Sequence, residues 1–217
     1  MATLSDLNGR LNLRLRKSSP AIASKHADLC RAGAALPRLI VMSDSERLPD
    51  PVAIIDGLPT GTTIILRHYS EPNRRSMADR LVRACRPRRL RVLVAGDAQL
   101  AVAVGANGVH LPEHLVAAGS LRWRAWRRPD WLVTAAAHSH SAIVRAHRVS
   151  ADAVLVSPVF PTISHPDAAP IGPLRFAAMC RASHLPVYAL GGVTPELAFR
   201  LIGSGAVGIA GIGGFSS

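Results

Sequence analysis

The chain has 217 residues, 48% of them hydrophobic and only 4% aromatic, with 26 basic against 14 acidic residues and a net charge of +12. That length suits one domain with a sizeable core, and that apolar content excludes global disorder. No apolar run approaches the roughly 20 residues of a membrane span, so a membrane span is excluded and no membrane partner is expected.

Short aliphatic runs and helix-like segments alternate from residue 37 onward. The runs are RLIVMS (38–43), TTIILRHY (62–69), RVLVAG (91–96), GVHL (108–111), WLVTAAA (131–137), DAVLVSPVF (152–160), PVYALGG (186–192) and VGIAGIGG (207–214). Between them PVAIIDGL, RRSMADRLVRAC, AQLAVAVG, HLVAAGSLRWRAW, SAIVRAHRVS, LRFAAMCRAS and TPELAFRLIGSG carry apolar residues at helical spacing. Strand runs separated by crossover-length segments predict βαβ units. Eight of them predict an α/β chain folded as a (β/α)8 TIM barrel. A doubly wound sheet is the alternative, but no GxGxxG follows the first strand. Thr194, Pro195 and Glu196 read as N-cap, first helical residue and first-turn acid of the last helix, which Gly203 and Gly205 can end.

Two features depart from a regular barrel. Residues 1–36 precede the first strand and contain ADLCRAGAAL, predicting an N-terminal helical extension ahead of a barrel over 37–217. The last run stops close to Ser217, predicting a missing or truncated last helix, with the extension packed in its place. The N-terminal stretch lacks the long apolar segment of a signal peptide, and Cys30, Cys85 and Cys180 show no CxxC or metal-ligand spacing. Reduced thiols and a cytoplasmic location are expected. The arginine clusters RPRRLR (86–91) and RWRAWRR (122–128) fall where helices are predicted to end, where cations are favourable. They match no nucleic-acid motif, which argues against such a partner.

A parallel barrel places its chemistry at the C-terminal ends of its strands. There GVHLPE (108–113) presents His110, TAAAHS (134–139) presents His138, and VSPVFPTISHP (156–166) presents Phe160 and Thr162 in a proline-stiffened loop. Gly191 and Gly192 follow the seventh strand, and Gly211, Ile212 and Gly213 the eighth. Glycines at these two exits can bring backbone N–H groups to a phosphate. They also suit tight barrel turns. Arg67, leaving the second strand, can clamp a carboxylate or phosphate, or pair with an acid such as Glu113.

AVAVGANGVHLPE (101–113), TAAAHS, VSPVFPTISHP and ALGGV (189–193) together resemble the thiamine phosphate synthase and thiazole tautomerase (TenI) family, over roughly residues 37 to 214. The resemblance implies a thiamine-biosynthesis barrel that takes a small phosphorylated substrate; it is compatible with a homo-oligomer. The synthase branch joins a pyrimidine diphosphate to a thiazole phosphate with Mg²⁺. The tautomerase branch moves a proton to aromatise a thiazole carboxylate phosphate without metal. The synthase pattern Gln-x-Arg-x-Lys becomes Ile65, Arg67 and Tyr69 here. Its Asn-Asp falls on Ala95 and Gly96, with Asp97 one residue late; its second metal carboxylate falls on Leu115, and its loop lysine on His165. His138 matches the histidine that the tautomerase branch uses as acid and base, and an imidazole titrates near neutrality. The expected site is therefore His138 as proton carrier, with Arg67, His110, Phe160, Thr162, Gly191, Gly192, Gly211, Ile212 and Gly213 binding substrate, and no metal or other cofactor. The alternatives are a synthase with Mg²⁺ ligands relocated to Glu113 and Asp97, and a non-catalytic barrel that binds a phosphorylated ligand.

Overall fold

A computed structural model describes residues 35–119, 121–162 and 169–212. All eight apolar runs form strands: β1 Leu39–Met42, β2 Thr63–Leu66, β3 Arg91–Ala95, β4 Gly108–Leu111, β5 Leu132–Ala137, β6 Ala153–Val156, β7 Val187–Ala189 and β8 Gly208–Gly211. They pair in parallel and in order, and β8 returns to β1 with Leu39 opposite Ile209 and Val41 opposite Gly211. The barrel is closed, as the sequence predicts. The N-terminal extension, residue 120, the 163–168 stretch with His165, and Gly213 onward lie outside the described residues.

Side-chain alternation divides the strands into two apolar layers. Ile40, Met42, Ile65, Leu93, Leu155 and Tyr188 pack inside the barrel. Val41, Ile64, Val92, Val109, Val133 and Val154 face the surrounding helices. Tyr188 is accommodated inside because β8 offers Gly208, where a Cβ would lie 2.8 Å from the Tyr188 ring. Its hydroxyl donates to the Pro37 carbonyl at 2.7 Å.

The helices are α1 Arg74–Cys85, α2 Ala98–Ala103, α3 Glu113–Ala117, α4 His140–Arg148, α5 Pro173–Ala182 and α6 Pro195–Ala198. Three are capped by side chains: Asp97 accepts from Leu100 N–H, Ser139 from Ala142 N–H and Thr194 from Leu197 N–H. Pro195 is the first residue of α6, as expected.

Three predicted helices differ. PVAIIDGL forms turns and one 3-10 turn, Ile55–Gly57, bounded by Pro51 and Pro59. HLVAAGSLRWRAW divides: α3 ends before Gly119, whose φ of +63° turns the chain, and Arg122–Trp126 form a separate 3-10 helix. After α6 the chain tightens into a 3-10 turn at Phe199–Leu201.

The first arginine cluster follows α1, as anticipated, and Arg88 pairs with Asp56. The second forms its own 3-10 helix rather than ending one. Arg127 in it reaches Asp152 at 3.1 Å, and Asp152, with 1% of its side chain exposed, also accepts from Val133 N–H at 2.8 Å. This arginine joins the entry of β6 to β5 at the face opposite the strand C-termini. Among the described residues no helix is long and apolar enough to cross a membrane.

Candidate active site

The C-terminal ends of the strands gather the polar residues. His138 follows β5, on the alternation that turns Thr134 inward, immediately before the α4 cap Ser139. Its side chain is 53% exposed. The ring Nδ1 meets Glu113 Oε2, and the His138 backbone N–H donates to the same oxygen at 3.0 Å. The other oxygen, Oε1, accepts from Arg145 Nη2 of α4 at 2.9 Å. One carboxylate thus ties the exit of β4 to the exit of β5 and to the second turn of α4. Sequence reading placed Glu113 as a partner for Arg67 or as a relocated metal ligand; its two oxygens are instead taken by His138 and Arg145.

Arg67 pairs with Asp44, at 3.6 Å, beyond the end of β1. Its backbone N–H donates to Ser43 Oγ at 2.9 Å. Burial works against the Asp44 carboxylate, but the Arg47 and Glu46 N–H donors and the Arg47 charge outweigh it and hold its pKa below the ordinary value. Arg67 is left with about a third of its side chain exposed.

His110 does not stand at the mouth. It is 2% exposed inside the barrel, with Nδ1 at 2.9 Å from Thr134 Oγ1. Burial, helped by the Arg67 charge, pushes its pKa down to about 3, so the ring is neutral at physiological pH. Phe160 is likewise in the core, 4% exposed within the layer between strands and helices, with the Arg200 guanidinium 5.8 Å from its ring centroid. It therefore lies in the core and forms no open wall of the mouth. Thr162 lies two residues further along the same loop, partly buried.

Gly191 and Gly192 have φ of +88° and +64°. The loop after β6 runs beside them, with Val159 N–H on the Leu190 carbonyl and Phe160 N–H on the Gly191 carbonyl. A Cβ on Gly192 would lie 2.2 Å from the Pro161 carbonyl oxygen, and one on Gly191 2.8 Å from Pro158 Cα. Loop packing alone thus requires both glycines. They stay partly exposed, and the N–H groups of Gly191, Gly192, Val193 and Ile212 have no acceptor among the described residues. Pairing of β7 with β8 sets these two exits side by side, with Gly211 closing β8.

Across the mouth, Tyr69 lies over Gly96: a Cβ there would be 3.4 Å from the Tyr69 ring. Arg74 fills the space beside it, stacked 5.4 Å from the Tyr69 centroid and donating to the Ala95 carbonyl at 2.5 Å. Asp97 Oδ2 stands 3.9 Å from Arg74, and Asp97 Oδ1 caps α2 at 2.8 Å. Sequence reading missed Arg74 and Arg145 because both sit on helices, 7 residues beyond Arg67 and His138 in each case, and reach back to strand ends.

Most of the chain is similar to known thiamine-phosphate synthases. The profile of the family described as thiamine monophosphate synthase matches residues 44–215. A relative from Aquifex aeolicus (strain VF5) is 40% identical over 116 residues, which span 54% of this chain and 61% of that protein. The thiamine-phosphate synthase of Anoxybacillus flavithermus is 30% identical over 180 residues, 78% of this chain and 81% of that one. Among solved structures, thiamine phosphate pyrophosphorylase from Pyrococcus furiosus superposes with a TM-score of 0.67 and 25% identity, covering 85% of this chain and 87% of its own. The family resemblance carried by residues 101–113, 134–139, 156–166 and 189–193 therefore holds across the barrel, and the chain belongs to the thiamine monophosphate synthase family.

Proposed function

We propose that the mouth binds a phosphorylated thiazole and that His138 moves a proton on it without a metal. The single observation that carries this reading is the clamped imidazole. Its Nδ1 is held by Glu113, which leaves Nε2 as the nitrogen available to a ligand. The phosphate belongs on the partly exposed N–H groups of Gly191, Gly192, Val193 and Ile212, where an anion supplies the missing acceptors. Arg67 is within the same mouth and suits a carboxylate.

The chemistry needs only one group that accepts and returns a proton. A ring C–H bond breaks, its proton passes to Nε2, and the electron pair enters the conjugated system. The imidazolium then returns that proton at the other end of the system, leaving an aromatic ring and the starting protein. A positioned side chain that gives and takes a proton contributes on the order of 10²–10⁴ in rate to such transfers.

Thiamine phosphate synthesis is the second reading, and the names of the relatives favour it over the tautomerase. That reaction in this family employs Mg²⁺, a cation that takes carboxylate and phosphate oxygens. The donor set does not fit it. Ala95, Gly96 and Leu115 offer no side-chain oxygen, Asp97 caps α2 beside the Arg74 cation, and both Glu113 oxygens are engaged. Tyr69 and Arg74 occupy the side of the mouth where those positions fall.

Turnover separates the two. Purified protein given thiazole carboxylate phosphate in EDTA is expected to isomerise it, with loss of activity in His138→Ala. Condensation of pyrimidine diphosphate with thiazole phosphate, abolished by EDTA and present without isomerisation, would favour the synthase instead. Binding of thiazole phosphate with neither reaction would mark a non-catalytic barrel.

A further inference from the structure

The carboxylate of Glu113 has an arrangement that the proton-transfer reading does not by itself require. Pro112, with φ of −56° and ψ of 149°, brings the chain out of β4 in extended form, and Glu113 begins α3 directly after it. Its carboxylate makes three polar contacts with residues 25 and 32 positions away in sequence. Oε2 takes both the backbone N–H and the ring Nδ1 of His138, and Oε1 takes Arg145. Because Arg145 holds one oxygen, rotation of the carboxylate away from His138 would break every contact together. Because the backbone and ring of His138 meet the same oxygen, the ring's orientation is tied to the end of β5.

A carboxylate accepts and cannot donate, so it selects the form of a neutral imidazole that carries its hydrogen on Nδ1. We propose that Glu113, braced by Arg145, is a positioning residue: it holds His138 as the Nδ1–H tautomer with the Nε2 lone pair turned to the mouth. This rests on the reading of His138 as the proton carrier. It also assigns Glu113 to the imidazole rather than to a cation. A carboxylate orienting a histidine through Nδ1 recurs in unrelated hydrolase sites, where its loss leaves the ring in the wrong tautomer.

The test uses the full-length protein with ¹⁵N-labelled histidine, the His138 signals being assigned by their absence in His138→Ala. In alkaline buffer the wild type is expected to show Nδ1 protonated and Nε2 bare. Glu113→Ala is expected to transfer the population toward Nε2–H, and Arg145→Met to give an intermediate mixture if Glu113→Ala fails to fold. In the isomerase assay Glu113→Ala should lower kcat by roughly 10- to 100-fold, as loss of the partner that orients a metal-ligating histidine does, with KM changed less than about threefold. Glu113→Asp should recover part of that loss.

A wild-type ring already in the Nε2–H form, or an identical tautomer ratio in wild type and Glu113→Ala, would overturn the proposal. So would an unchanged kcat in Glu113→Ala while His138→Ala is inactive. Full activity in His138→Ala would instead remove the proton-transfer reading, and the tautomer measurement would still decide whether Glu113 positions the ring.

Discussion

Acidification should weaken this fold through one buried histidine. His110 is neutral in the barrel, with its pKa pushed from 6.5 down to about 3 by burial and then by the Arg67 charge. In the unfolded chain the same imidazole takes a proton as soon as the pH falls below its ordinary value. Between those two pKa values the unfolded state therefore binds more protons, and stability falls as the pH is lowered. Going from pH about 7.5 to about 5.0, this group alone removes roughly 2 kcal/mol, because about 1.5 pH units lie below the unfolded pKa at about 1.4 kcal/mol each. Other groups titrate over the same range, so the comparison needs a variant that lacks only this one. His110→Leu with Thr134→Val removes both partners of the 2.9 Å hydrogen bond and leaves neither unpaired. Urea unfolding at the two pH values, followed by circular dichroism, should show the wild type losing about 2 kcal/mol more than the double variant. For a domain of this size that difference is roughly 4–8 °C in Tm. Equal losses in both proteins, or a His110 ring that titrates near its ordinary value by NMR, would refute the reasoning.

Two other substitutions probe how the mouth and the opposite face are built. Gly192→Ala places a Cβ 2.2 Å from the Pro161 carbonyl oxygen at a φ of +64°, and calorimetry should record a loss of about 2–5 kcal/mol; wild-type stability would mean that the loop after β6 is free to move away. Asp152→Ala leaves Val133 N–H without its acceptor and Arg127 without its carboxylate. Urea unfolding should show a cost of about 2–4 kcal/mol, and a change below about 0.5 kcal/mol, typical of a surface site, would contradict the buried pairing.

The strands were legible because each is a short run of Val, Ile, Leu or Ala, and parallel strands buried on both faces need such runs. The helical layer was less so. PVAIIDGL has the spacing of a helix but is hemmed in by prolines, and HLVAAGSLRWRAW runs through Gly119, where left-handed backbone divides it. At the site, the family resemblance pointed to His138, because TAAAHS places a histidine directly after the fifth strand. Its partner Glu113 stood in the conspicuous GVHLPE stretch, yet the pairing depends on β4 and β5 lying side by side, which spacing does not reveal. His110 and Phe160 were expected to touch substrate, and the structure buries both, because alternation sends His110 into the barrel and the β6 loop folds Phe160 under Gly192. The glycine pair carried two meanings at once, close packing and accessible N–H groups, and sequence alone could not separate them.

The most direct measurement is a crystal structure of the protein with thiazole phosphate bound. The account predicts the phosphate against the N–H groups of Gly191 to Val193 and Ile212, with the ring within hydrogen-bonding reach of His138 Nε2 and no cation between them. A phosphate held elsewhere, or a ring turned away from His138 toward a metal on Asp97 or Glu113, would contradict it.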